Sequence, residues 1–187
     1  NNPKITIDFI KDNLDKPWNW NNVSRNLNIQ DIIDNPDKPW DLRYISYNPK
    51  LTIEYVNLNK SWNWVYVSCN PNITIQNIID NPNKPWNWST MSCNPNLTMQ
   101  FIKDNLDKDW NWFSISANSN ITLQDIIDNP DKPWNWSTMS YNPNLTIEFI
   151  KNNLNKPWNF NNLLVNKFTS YKRKRKQQQI VKWYKRM

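Results

Sequence analysis

The residues with the most chemistry to offer recur in pairs. Tryptophans two apart stand at Trp18/Trp20, Trp62/Trp64, Trp86/Trp88, Trp110/Trp112 and Trp134/Trp136, with Trp40/Leu42 and Trp158/Phe160 as variants. Rows of indoles can stack single-stranded bases, at about 1 to 3 kcal/mol each, when a cationic groove runs beside them. No such groove accompanies these pairs, and the second position accepts Leu and Phe as a packing site does. The pairs read as core. Acid-Lys or Asn-Lys steps precede Pro-Trp at Asp15-Lys16, Asp37-Lys38, Asn83-Lys84 and Asp131-Lys132. A row of carboxylates could serve acid-base chemistry, yet nothing sets one acid apart from its copies, so these read as solvated turns.

What is missing narrows the chemistry further. The chain of 187 residues has no His and no Gly, against 13 Trp, 13 Pro and 36 Asn. Without imidazole there is no His base, no Ser-His or Cys-His nucleophile pair and no His-containing zinc site; without Gly there is no phosphate-cradling glycine loop. The expectation is a protein that is not an enzyme, with no catalytic, cofactor-binding or metal-binding residues. No apolar run approaches the roughly 20 residues of a membrane span, and Asn1 to Lys4 do not open a signal peptide. The chain reads as intracellular.

The net charge of +7 is local. Residues 167–187 carry nine Lys/Arg and no acid, which leaves residues 1–166 at −2. The body is nearly neutral and the basicity belongs to a tail.

The elements that position these residues come from a repeat. Trp18, Trp40, Trp62, Trp86, Trp110, Trp134 and Trp158 mark one position in seven copies, spaced 22, 22, 24, 24, 24 and 24 residues apart. Asn70 to Cys93 shows the phrase whole, while the second and third copies each lose two residues, at different joints. Thr74 is an N-cap residue before Ile-Gln-Asn, so the phrase predicts a short helix from Thr74 to about Asn81. Asn-Pro-Asn-Lys-Pro stops it, because residues before Pro avoid helical backbone. A second short helix follows from Trp86 onward, closed at an Asn-Pro step where Asn can take the left-handed cap usually given to Gly. Odd copies carry an aromatic then Lys (Phe9 and Lys11, Phe101 and Lys103) where even copies carry a polar residue then Ile (Asp31 and Ile33, Asn77 and Ile79). That shift suggests a first helix that rolls from copy to copy. Helices this short are marginal alone, since isolated helices need roughly 12 to 15 residues, and must be held by stacking. The fold expected is all-α, an α-solenoid of seven helix pairs over residues 1–166, followed by a basic tail or capping helix over 167–187. The alternative is a β-solenoid or leucine-rich-repeat-like coil, whose period also fits and for which Ile-Thr-Ile alternates correctly.

Cys69 and Cys93 occupy the same position in adjacent copies. Packed helix axes lie about 8 to 10 Å apart, beyond the roughly 7 Å Cα limit of a disulfide. They read as free thiols, as a reducing compartment keeps them. Partner binding belongs to the positions that vary: three, four and seven residues after the first Trp, while positions two and five stay apolar. In a stacked array the changing face is the usual place for recognition, and Tyr and Arg are enriched in interface hot spots. Arg43, Tyr44, Tyr47, Tyr66 and Phe113 are the candidates. Lys172, Arg173, Lys174, Arg175 and Lys176 form a run of the kind that binds polyanions or signals nuclear import.

With N-P-N-I-T and D-N-P-D-K-P-W-N-W in view, residues 1–166 resemble the Asn/Trp/Pro tandem-repeat proteins that giant DNA viruses of the mimivirus type encode. The resemblance implies a viral protein made in an infected amoeba, in host cytoplasm, virion or nucleus. The function expected from the seven stacked phrases and the absent catalytic residue types is a non-catalytic repeat scaffold for protein-protein interaction. The competing function is nucleic-acid binding through the tail, with no membrane or metal partner in either case.

Overall fold

The computed structural model describes residues 5–58 and 62–166. They form 14 short helices, and no strand occurs among the described residues. The strand-built alternative is overturned: in Ile5-Thr6-Ile7, Ile73-Thr74-Ile75 and Leu145-Thr146-Ile147 the Thr turns its hydroxyl to cap a helix instead of continuing an alternation.

The chain divides into two compact units, 1–96 and 97–187. The first holds α1 (Ile7–Lys11), α2 (Trp20–Asn26), α3 (Ile29–Ile33), α4 (Leu42–Ser46), α5 (Ile53–Leu58), α6 (Trp64–Ser68), α7 (Ile75–Asp80) and α8 (Trp88–Met91). The second holds α9 (Met99–Lys103), α10 (Trp112–Ala117), α11 (Leu123–Ile127), α12 (Trp136–Met139), α13 (Ile147–Asn152) and α14 (Phe160–Val165). Each copy thus supplies a first helix before its first Trp and a second after it. In the first unit the second helices pack in series, α2 on α4, α4 on α6 and α6 on α8; in the second, α10 packs on α12. This is a helical repeat.

Local chemistry explains each boundary. Thr6, Thr98 and Thr146 accept from the backbone N–H three residues on, and Thr74 with Asn77 and Thr122 with Asp125 close reciprocal capping boxes. At the other end, Asn13, Asn35, Asn81, Asn105, Asn129 and Asn153 donate Nδ2 to the carbonyl four residues back, satisfying a helix end that would otherwise lack a partner. The first Trp of the pair lies outside the second helix. Its backbone N–H closes a tight turn onto the Lys two residues back, 2.7 to 2.8 Å in the copies of Trp18, Trp40, Trp86, Trp110, Trp134 and Trp158. The residue between the aromatics, Asn19, Asp41, Asn63, Asn87, Asn111, Asn135 or Asn159, is the N-cap of the second helix.

Two expectations fail here. None of the described residues has positive φ, so Asn does not stand in for Gly in left-handed caps. From the second copy onward the Asn eight residues after the first Trp is buried instead, at Asn48, Asn70, Asn94, Asn118, Asn142 and Asn166, while Asn26 of the first copy is exposed. In the first unit Asn94 Nδ2 donates to the carbonyls of Ser68, Asn70 and Ile73, at 3.0, 3.2 and 3.0 Å. Asn70 reaches Ser46 and Asn48, and Asn48 reaches Ser24 and Leu27. In the second unit Asn142 repeats the triple contact with Ser116, Asn118 and Ile121. Each of these amides also accepts from the N–H two residues on (Lys50, Asn72, Asn96 and Asn144). Two residues before the Asn, a buried Ser takes the N–H of the next copy's N-cap: Ser24 from Asp41, Ser68 from Asn87, Ser116 from Asn135, Ser140 from Asn159. A side-chain seam therefore joins copy to copy within each unit.

The rolling first helix is also absent. Ile10, Ile32, Val56, Ile78, Ile102, Ile126 and Ile150 are buried in all seven copies, so one face stays inward. The Ile of even copies points to solvent, Ile79 at 52% exposure, and so do Leu14, Leu58, Leu106 and Leu154. The fully enclosed hydrophobic side chains are aliphatic or Met, among them Ile45, Leu51, Ile73, Met91, Ile121 and Met139. Trp86, Trp134 and Trp158 are buried; the other paired Trp residues are half-buried, at the margin of the core and not in its middle.

Candidate interaction face

The outer side of the second helices is built from positions three, four and seven after the first Trp, as the sequence suggests. Position three is exposed in every copy, from Asn21 to Asn161, because positions two, five and six turn the opposite arc toward the core and the seam. On the first unit this face carries an aromatic-cationic cluster. The rings of Tyr47 and Tyr66 lie 4.3 Å apart with a 33° tilt, and the guanidinium of Arg25 stands 5.8 Å from the Tyr47 ring. Such a cation-ring contact contributes about 0.5 to 1 kcal/mol at an exposed site. Tyr47 is 42% exposed, and partial burial still pushes its hydroxyl pKa up, with Cys69 beside it adding to the rise.

Arg43 is exposed and forks onto Asp41, with Nε to Oδ1 at 3.2 Å and Nη2 to Oδ2 at 2.8 Å. That hydrogen bond lowers the Asp41 pKa and raises that of Arg43. Asp41 is the N-cap of α4, so the pair fixes the guanidinium at the helix start. Tyr44 is half-buried on the same helix. Of the five candidates, Arg43, Tyr44, Tyr47 and Tyr66 fall on the face of the first unit, while Phe113 lies on the second unit, at 61% exposure. Arg25 belongs to the cluster and was legible only as one member of the variable set. Thr90 and Thr138 look like part of the same face but are structural, donating Oγ1 to the carbonyls of Val65 and Phe113.

The indoles have partners of their own. The second Trp of one copy meets the first of the next edge-on: Trp20 with Trp40 and Trp64 with Trp86 in the first unit, Trp112 with Trp134 and Trp136 with Trp158 in the second. Centroid distances of 5.1 to 5.3 Å fall in the favoured range for T-shaped pairs. Cys69 is half-buried, which pushes its thiol pKa up, and Cys93 is exposed; both are free. Asp15, Asp37, Asp107 and Asp131 each pair with the adjacent Lys, their carboxylates in solvent. Among the described residues no group of His, Cys, Asp or Glu could hold a metal ion, and no helix is long and apolar enough to cross a membrane. The run Lys172, Arg173, Lys174, Arg175, Lys176 lies outside the described residues.

No family model, curated protein or solved structure matches the chain.

Proposed function

We propose that this chain is a non-catalytic scaffold, an α-solenoid that binds a partner protein through the outer face of its second helices. The observation that carries the reading is the contrast within one helix. Positions five and eight keep their chemistry in every copy and position six in the first six, while positions three, four and seven change and gather Arg25, Tyr47 and Tyr66 into one cluster. Tyr anchors interfaces because it buries a large area with two rotatable bonds, and Arg because its planar guanidinium stacks on rings and donates several hydrogen bonds. By its likeness to giant-virus repeat proteins the scaffold is of viral origin and acts inside the infected host cell.

The test is affinity capture from infected amoebal lysate with wild-type chain and with Arg25, Tyr47 and Tyr66 all changed to Ala. A partner retained by the first and lost by the second, at equal melting temperature, supports the reading. Capture that survives this change but disappears when Lys172, Arg173, Lys174, Arg175 and Lys176 become Gln would move the function to the tail. Bound nucleic acid would then be expected, with affinity falling steeply as salt rises.

A further inference from the structure

In the first unit the edge-on row of tryptophans has a gap. Trp20 meets Trp40 at 5.3 Å and Trp64 meets Trp86 at 5.1 Å, with ring planes at 79° and 90°. At the step between them the second position holds Leu42, which has no ring to set against Trp62. A notch of about 480 Å³ opens there, lined by Leu42, Arg43, Trp62, Trp64, Pro85 and Trp86. Trp62 is also the least anchored indole of its row. Trp40 and Trp86 donate Nε1 to the carbonyls of Asn35 and Asn81, at 2.6 and 2.9 Å. The Nε1 of Trp62 is buried without an acceptor among the described residues, in the copy that lost two residues after Val56.

We infer that this notch receives one aromatic side chain, an indole by preference, from a partner polypeptide. The protein's own pattern defines the occupant: at four other steps an indole sits edge-on to the next copy's first Trp. The quadrupole of the ring favours that edge-to-face arrangement over a stacked sandwich, and the same preference holds for a ring supplied from outside. At the rim, Asp41 engages only two of the nitrogens of Arg43. Arg43 therefore keeps donors for the peptide carbonyls on either side of the incoming ring, whereas an aliphatic ligand without a backbone offers them no acceptor. The inference does not rest on the Tyr47–Tyr66 cluster.

The probe is N-acetyl-5-fluorotryptophan amide, titrated against the full chain and followed by its fluorine resonance, which the protein's own 13 Trp do not obscure. Saturable broadening with one site per chain is expected. Leu42→Trp supplies the missing ring and should weaken binding at least about tenfold, the equivalent of one good contact. Trp112→Leu should open a matching notch over Trp134 in the second unit and raise the stoichiometry to about two, since the same edge-on geometry is being copied. Tyr47→Ala should leave the probe's affinity unchanged, which separates this site from the face proposed above. Circular dichroism checks each variant; if Leu42→Trp does not fold, Leu42→Phe replaces it. No saturable binding to wild type, equal affinity after Leu42 is enlarged, or an unchanged stoichiometry in folded Trp112→Leu would each overturn the inference.

Discussion

Two rows of side chains run through the second helices, and they behave in opposite ways. The tryptophan row is the more conspicuous, yet most of its indoles are half-buried and touch each other by their edges. The asparagine row is polar, yet Asn48, Asn70, Asn94 and Asn142 are enclosed, at 0 to 1% exposure. Size favours burial through the area it removes from water, but only Trp86, Trp134 and Trp158 of the first position are buried, and every second-position Trp stays half-buried at the margin of the core. The Asn sits where two or three backbone carbonyls of the preceding repeat converge, and a buried carbonyl without a donor costs about 1 to 3 kcal/mol. The difference teaches that in this repeat the position of unpaired backbone groups, more than side-chain bulk, decides which residue must lie inside.

Replacing a buried indole should produce the largest effect. Trp134→Ala removes a side chain at 7% exposure, its edge contact with Trp112 and its hydrogen bond to the Asn129 carbonyl. About 3 to 5 kcal/mol is expected from urea denaturation, against about 2 for half-buried Trp136→Ala. Equal costs would mean that the two positions are not distinct. Next, Ser116→Ala takes away the acceptor for the Asn135 N–H and the donor to the Trp112 carbonyl, both in the seam. A loss of about 1 to 2 kcal/mol follows from one unsatisfied buried N–H; no measurable loss would weaken the seam's claim. Tyr66→Ala on the outer face should cost less than about 1 kcal/mol, as exposed substitutions do.

Acid should matter least. Asp37, Asp107 and Asp131 have carboxyls held below their ordinary 3.8, chiefly by the hydrogen bond from the neighbouring Lys. A folded-state value below the unfolded one gives stability that is present above 3.8 and lost as pH falls through the lower value. These pairs are in solvent and the chain has no His. The melting temperature should therefore stay level from about pH 8 to about pH 5 and decline only gently below. A sharp transition near pH 6 would point to a group not accounted for.

Much of the fold was legible because the caps are local chemistry. Thr before the first helix and Pro after it act within four residues, so Thr74 and Ile75–Asp80 agree with the structure. The second helix began two residues late because the N-cap is Asn87, hidden between two tryptophans that draw attention as a pair. The seam was missed for a different reason. Asn94 makes its bonds to residues 21 to 26 positions earlier, which no local rule reaches. Its signature was still present: the Ser at position six recurs from Ser24 to Ser140, and the Asn two residues on recurs in every copy, while their neighbours vary. The exposed Ile33, Ile79 and Ile127 misled in turn, because an apolar residue in a helix reads as core until the packing partner is known. The outer face was found by its variability, though variability does not say which members touch; Arg25 on Tyr47 needed coordinates.

The central claim is that the amide donors of the buried asparagines hold successive copies together. Asn142→Asp keeps the shape of the side chain and removes both N–H donors that face Ser116, Asn118 and Ile121. Urea denaturation at neutral pH should show a loss of at least about 3 kcal/mol, because a carboxylate is then set against three buried carbonyls. A chain of unchanged stability would contradict the account.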